Sequence, residues 1–264
     1  MPSPGVAQMI ELKSAREIEL MRQAGAVVGE LLVYLGGLVR PGINTKTLDE
    51  AARVFLREHG VKPAFLGYRG YPAAICVSVN EEVVHGIPGE RRIGEGDLVS
   101  IDAGAVVEGY YADAARTVVV GRAPAERHQL LKTTRQALEA GIRHAVAGNR
   151  LSDISHAVQQ VVESEGFSVV REFVGHGIGR AMHEDPAVPN FGPPHRGPRL
   201  KVGMALAIEP MVTAGSAEVE ILADGWTAVT KDRSLSAHFE QTIAITEQGA
   251  EVLTESPDAE GRGH

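Results

Sequence analysis

The feature that most constrains this chain is an internal repetition, in which glycines and apolar runs recur at an offset of about 107 residues. Gly42 and Gly60 bracket one stretch, and Gly148 and Gly166 bracket a second of the same length. Inside them Leu48-Asp49 falls opposite Ile154-Ser155 and Ala51 opposite Ala157, so the apolar phase is shared. Further on, Gly96-Asp-Leu-Val-Ser-Ile-Asp102 matches Gly203-Met-Ala-Leu-Ala-Ile-Glu209, with an acid closing each apolar run. Chance similarity of amphipathic segments is the alternative. Two related halves packed about a pseudo-twofold axis would bring the strands ending in Asp102 and Glu209 to one central face. A cleft between halves is a usual place for a ligand.

Each half reads as helices followed by strands. Ile18, Leu20, Met21, Ala24, Val27, Val28, Leu31 and Leu32 recur at helical spacing from Ala15 onwards, and Ser14 with Glu17 forms a capping box. A second helix covers residues 48–59 and is closed by Gly60. Strand-like stretches follow at 74–79, 98–107 and 117–120, with Gly109 supplying a hairpin turn. The order then repeats, with helices at 130–146 and 151–165, the latter closed by Gly166, and strands at 169–174 and 205–208. These elements predict an α+β fold in one domain at 13–253, with internal halves of about 13–121 and 122–253 and tails at 1–12 and 254–264.

Composition limits the chemistry. At 264 residues, with 44% hydrophobic and 23% charged residues, the chain is long and apolar enough to bury a core. Acids outnumber bases 34 to 26, so a phosphate backbone is not the first partner to propose and no specific DNA contact is expected. No apolar run approaches the ~18–20 residues of a membrane span, so no membrane partner is expected. Met1-Pro-Ser-Pro-Gly5 does not look like a secretory signal, and a cytoplasmic setting is the expectation. Cys76 stands alone, which excludes an intrachain disulfide and a zinc site of several thiolates. Any metal has to be held by His, Asp or Glu.

Four carboxylates stand in apolar, strand-like sequence. Asp102 follows Val99-Ser-Ile101, Asp113 follows Tyr110-Tyr-Ala112, Glu209 follows Leu206-Ala-Ile208, and Glu240 precedes Gln-Thr-Ile-Ala-Ile245. Burying an unpaired carboxylate is costly, so the set needs counter-charge. The nearest bases in sequence are Arg116 for Asp113 and Arg233 for Glu240. A pair of divalent cations would neutralise all four acids, and oxygen ligands with one imidazole suit manganese, iron, cobalt or zinc. Ordinary salt bridges or solvated strand ends are the alternative. Three histidines have informative contexts: His85 in Val83-Val-His-Gly-Ile-Pro88, His176 between Gly175 and Gly177, and His183 in Ala181-Met-His-Glu-Asp-Pro186. Glycines beside His176 permit close backbone approach. There is no His-Glu-x-x-His, no Gly-x-Ser-x-Gly and no Walker loop. Cys76, between Ile75 and Val77, reads as a packing residue or pocket wall.

Larger motifs then fall into one order. Gly67-Tyr-Arg-Gly-Tyr-Pro72, Cys76-Val-Ser-Val-Asn80 with His85-Gly-Ile-Pro88, Ile101-Asp102, Asp113-Ala-Ala-Arg-Thr117 and Gly175-His-Gly-Ile-Gly-Arg180 come first. His183-Glu-Asp-Pro186, Ile208-Glu-Pro-Met211, Asp224-Gly-Trp-Thr227 and Lys231-Asp-Arg-Ser-Leu-Ser236 with Phe239-Glu240 follow. Together they resemble the type I methionine aminopeptidases of bacterial type, from about Lys13 to Leu253. The resemblance implies a pita-bread fold, two pseudo-twofold-related halves around a central antiparallel sheet. It implies two divalent ions per chain (Co, Mn, Fe or Zn), with Asp113 and Glu240 bridging them, Asp102 completing one, and His176 and Glu209 the other.

The activity so implied is removal of the initiator methionine from nascent polypeptide N-termini when the next residue is small, by metal-activated water. Glu209 would move the proton, His183 would stabilise the oxyanion, and His85 would hydrogen-bond the following amide nitrogen. Tyr68, Tyr71, Cys76 and Trp226 would line the methionine pocket, beside His85 and His183. Phe65 and Met182 depart from the family's usual residues and bear on pocket width, not on the ligands. Proline-specific peptidases share the fold and the five ligands, but normally carry an N-terminal domain for which the residues before Lys13 leave no room. A catalytically silent binder of this fold would have lost ligands, and all five are present. The basic segment His195-Arg-Gly-Pro-Arg-Leu-Lys201 reads as a solvated loop, with transient ribosome contact as its other use, and a monomer is expected.

Overall fold

The computed structural model describes residues 10–255; the parts of the expected tails at 1–9 and 256–264 lie outside the described residues. Helix α1 (Ala15–Leu38) starts where Ser14 and Glu17 cap it. The Ser14 hydroxyl accepts from the Glu17 amide, and the Glu17 carboxylate accepts from the Ser14 amide at 2.8 Å. The Tyr110 hydroxyl donates to the other Glu17 oxygen at 2.6 Å, which ties the helix start to the sheet and holds that carboxyl down at about 2. Helix α2 (Thr45–Glu58) begins earlier than its apolar pattern, because the Asn44 side chain accepts from the Thr47 amide. Helices α3 (Ala125–His144) and α4 (Leu151–Ser164) repeat the pair, α3 starting directly after Pro124.

A nine-stranded sheet, antiparallel at every pairing, forms the body. Its path runs through Lys62–Pro63, Leu98–Val107, Tyr110–Val119, Glu240–Thr246, Ala205–Ile208, Gly175–Gly177 and Glu184–Val188. Ile75–Val79 also pairs with Leu98–Val107, and Gly249–Val252 with Glu240–Thr246. Two expectations are corrected here. The strand expected at 117–120 begins at Tyr110, because Glu108 and Gly109, both at positive φ, turn the chain tightly enough to pair it with Leu98–Val107 along its whole length. The stretch expected as one strand at 169–174 is split. Ser168–Val169 pairs with Met211–Thr213 in a separate sheet, and the chain crosses to the large sheet only at Gly175–Gly177.

The sequence repetition is carried into the backbone. Gly42 and Gly148 have φ of 90° and 97°, Gly60 and Gly166 68° and 80°, and Gly96 and Gly203 82° and 91°. All three pairs thus occupy the left-handed region that a side chain disfavours. Asn44 bridges Arg92 in the first half as Arg150 bridges Arg199 in the second. One face of the sheet is covered by the helices. Val28, Leu31 and Leu35 of α1 and Leu48 and Leu56 of α2 pack against Ile75, Val77 and Ile101. Leu138 and Ile154 of the second half meet Leu206, Ile208 and Ile243. Each such buried Leu or Ile contributes about 1.5–3 kcal/mol. At the end of the described chain Thr254, expected in the tail, is buried and its hydroxyl accepts from the Thr242 amide at 3.1 Å.

Two glycines of α1 are expected to respond oppositely to the same change. A side chain at Gly25 would overlap the Leu253 carbonyl oxygen, whereas nothing lies within 4 Å of one placed at Gly37. Gly37→Ala should raise stability by about 0.5–1 kcal/mol through helix propensity. Gly25→Ala should lower it, and paired denaturant titrations check both signs.

Candidate metal centre

Opposed residues in an antiparallel pair share a face, and every second residue along a strand returns to it. Asp102 and Glu240 both pair with Ala115, from its two sides. Asp113 stands on the Ala115 strand at the same phase. Thr242, in phase with Glu240, pairs with Ala207, which also pairs with His176. Glu209 follows Ala207 at the same phase. Register alone therefore gathers Asp102, Asp113, His176, Glu209 and Glu240 on the face turned away from the helices. Ala115 and Ala207 between them leave room, and Gly104 admits Phe65 against the strand. A side chain at Gly175 would overlap the Ala207 carbonyl oxygen, and one at Gly177 that of Asp185, which is the close approach that the flanking glycines permit.

The centre holds more negative charge than the described residues neutralise. Asp113 and Glu240 are 4% and 3% exposed. His176 Nε2 lies 3.8 Å from Asp113 Oδ2 and 3.6 Å from Glu209 Oε1. His238 Nε2 lies 3.5 Å from Glu209 Oε2 and 4.0 Å from Glu240 Oε2. The two arginines near in sequence do not help: Arg116 pairs with Ile101, on the other face, and Arg233 binds Glu220 at 2.6 Å. Burial pushes the Asp102, Glu209 and Glu240 carboxyls well above the ordinary carboxylate range, and Asp113 up to about 6.

These residues fit a cation. His176 Nδ1 donates to the Gly177 carbonyl at 2.9 Å, so in the neutral ring the Nε2 lone pair faces the carboxylates. Asp102 Oδ1 and His238 Nε2 are buried with no hydrogen-bond partner among the described residues. Lone pairs turned on one another in a buried site are stable only around a positive charge. Asp113, His176 and Glu240 bring ligand atoms within 4.8 Å of one another, and so do Glu209, His238 and Glu240. Mixed carboxylate and imidazole donors suit divalent first-row metals.

A cavity of about 140 Å³ opens beside the donor set, space for one side chain. Every residue nominated from sequence lines it: Tyr68, Tyr71, Cys76, His85, Asp102, Asp113, His176, His183, Glu209, Trp226 and Glu240. Phe65, Arg69 and Met182 complete its wall. The Tyr71 hydroxyl donates to the Gly86 carbonyl at 2.9 Å, and its ring meets Trp226 edge-on at 5.0 Å. Tyr68 Oη lies 2.9 Å from His183 Nδ1, with the rings stacked at 5.5 Å. Burial lowers His85 and His183 to about 4, so both are neutral imidazoles near pH 7. It raises the Cys76 thiol, which suits a wall and not a nucleophile. His85 sits at φ 61°, where the chain turns so that Gly86 can lie against the Val77 backbone.

Sequence reasoning missed His238. The available signal was its place two residues before Glu240, the phase that a strand returns to one face. The basic 195–201 segment does not line the cavity; the His195 and Arg196 amides donate to Asp153 and Ser152 at the start of α4.

Residues 19–247 match the model of metallopeptidase family M24. Among curated proteins the chain is 54% identical over 246 residues to a methionine aminopeptidase of Clostridium perfringens, covering 93% of this chain and 99% of that one. It is 53% identical, with the same coverage, to methionine aminopeptidase 1 of Bacillus subtilis. The crystal structure of a Thermotoga maritima methionine aminopeptidase superposes with a TM-score of 0.93 at 49% identity, covering 94% of this chain and all of that one. A Pyrococcus furiosus prolidase shares the fold at a TM-score of 0.77 and 22% identity, over 95% of this chain and 67% of that one. The fold is thus the pita-bread arrangement of these enzymes.

The buried charge makes metal-free stability depend on pH. A carboxyl whose pKa is higher folded than unfolded keeps its proton longer in the fold, so stability falls as pH rises. For these acids that window opens at their ordinary values near 4 and extends beyond the value of about 6 for Asp113. The buried histidines, with lowered pKa, act in the opposite sense, but only below their unfolded value of about 6.5. Above pH 6.5 the metal-free protein should therefore lose thermal stability with rising pH. Saturating Mn(II) should abolish that slope, as read by melting curves with and without the ion.

Proposed function

The chain belongs to metallopeptidase family M24, among its methionine aminopeptidases, and from that premise we propose how its residues act on their substrate. It is a hydrolase that removes the initiator methionine of nascent polypeptides when the next residue is small. The observation that carries the reading of the site is a buried carboxylate and imidazole donor set beside a cavity with room for one side chain. In this reading two divalent cations, drawn from cobalt, manganese, iron and zinc, sit among the five residues. Asp113 and Glu240 would be shared by the two, Asp102 would serve one, and His176 with Glu209 would serve the other. Bound there, they supply Lewis acidity for the attacking water and the scissile carbonyl.

The protein's own groups do the rest. Tyr68, Tyr71, Cys76 and Trp226 receive the methionine side chain, where sulfur–aromatic contacts worth ~0.3–1.5 kcal/mol favour a thioether. Phe65 and Met182 narrow the same pocket. With the Tyr68 hydroxyl donating across its 2.9 Å contact to His183 Nδ1, the ring would carry its proton on Nε2. His183 Nε2–H then donates to the oxygen of the scissile carbonyl as charge develops there. The Glu209 carboxylate takes a proton from the attacking water and passes it to the leaving amine nitrogen. His85 hydrogen-bonds the amide nitrogen after the scissile bond, and burial holds its ring in the neutral form there.

Metal-reconstituted protein incubated with Met-Ala-Ser, Met-Pro and Gly-Pro peptides tests the reaction. Free methionine should appear from Met-Ala-Ser, and cleavage confined to bonds before proline would overturn the assignment. Asp113→Ala is expected to abolish tight metal binding. Calorimetry that finds two unchanged sites in this variant would refute its bridging role.

A further inference from the structure

His238 is the one imidazole at the centre that the proposed reaction leaves without a task. It is 2% exposed, and its Nε2 has no hydrogen-bond partner among the described residues. It is absent from the cavity wall, so it does not meet the substrate side chain. Its placement is imposed by the backbone. The Ser236–His238 strand pairs with Met211–Thr213, setting Met211 opposite His238, and the Phe239 amide donates to the Pro210 carbonyl at 3.4 Å. The segments Glu209-Pro-Met211 and His238-Phe-Glu240 thus run side by side, each carrying an acid into the centre. The Thr117 hydroxyl accepts from the His238 amide at 2.9 Å and donates to its carbonyl at 2.8 Å, which clamps the residue at both backbone groups. The ring is left with Nε2 aimed at Glu209 Oε2, 3.5 Å away, and at Glu240 Oε2, 4.0 Å away.

Nε2 is buried between two carboxylate oxygens and hydrogen-bonds to neither, an arrangement that calls for a cation at the point where the three converge. Their ligand atoms lie within 4.8 Å of one another. We propose that Glu209, His238 and Glu240 form a cation position within the centre, with His238 Nε2 as a second imidazole ligand beside that of His176. Glu240 is common to this set and to the Asp113, His176 and Glu240 set, and Glu209 also faces His176, so His238 would bring a second nitrogen to the cation that His176 and Glu209 serve. Its ligand class is a borderline divalent ion such as cobalt or zinc, since imidazole adds little for magnesium or calcium.

This inference rests on the two-metal reading of the site, and the experiment separates the two. Cobalt(II) is titrated by calorimetry into the metal-free full chain and its His238→Gln and His238→Ala variants. Proton spectra of the loaded forms in water then show the paramagnetically shifted N–H resonance of each cobalt-bound imidazole. The expected result is two shifted N–H resonances in the native chain and one in either variant. The affinity for the second equivalent should fall roughly tenfold or more, while magnesium binding is unchanged. Melting curves of the metal-free forms confirm that the variants fold. A single shifted resonance in native chain and variants alike, with unchanged second-site affinity, overturns the His238 position and leaves the two-metal reading standing. Absence of tight cobalt binding in the native chain overturns both.

Discussion

Four carboxylates on one face of a sheet, in salt-bridge contact with no lysine or arginine among the described residues, are the constraint to which the rest of the molecule answers. Two like charges about 4 Å apart repel by about 4 kcal/mol at an effective dielectric of 20. Asp102, Asp113, Glu209 and Glu240 hold their places because the strands beneath them are anchored from the other side. The helices of each half pack branched side chains against that face, and the acids occupy the other. The centre itself is lined with little that could adapt. Ala115 and Ala207 stand between the acids, and backbone carbonyls press on Gly175 and Gly177. Proton uptake or a cation are the two ways left to relieve the repulsion.

Much of this was legible in the sequence, for a definite reason. A strand that must be apolar advertises any acid it carries, so Asp102, Asp113, Glu209 and Glu240 were visible as exceptions to their own runs. The repeated glycines were legible because a left-handed backbone leaves few alternatives, and the paired φ values of the two halves bear that out. The misses share a cause as well. Arg116 and Arg233 were weighed as counter-charges by nearness along the chain, yet alternation turns Arg116 to the opposite face and a neighbouring strand offers Glu220 to Arg233. The start of the strand at Tyr110 was obscured because Tyr110-Tyr-Ala-Asp-Ala-Ala-Arg mixes small and charged residues, and only its partner strand reveals the pairing. His238 was overlooked because a change of sheet at Phe239 interrupts the pattern that links it to Glu240. Pairing across the sheet, which one sequence does not display, is what each of these positions needed.

The position of the Glu240 strand has a consequence for how the molecule comes into being. It lies between Tyr110–Val119 and Ala205–Ile208, at the seam of the two halves, although all but one of the other strands precede it in the chain. During synthesis both flanking strands are therefore made before the strand that joins them, and each presents a bare hydrogen-bonding edge until it emerges. Pairings so distant in sequence form slowly. The first half meanwhile carries Asp102 and Asp113 without His176, Glu209 and Glu240, the other members of the candidate donor set. Insertion of one late strand closes the edges, unites the halves and completes the donor set in the same event. The side chains that could hold a cation are thus brought together by the same strand pairing that unites the two halves.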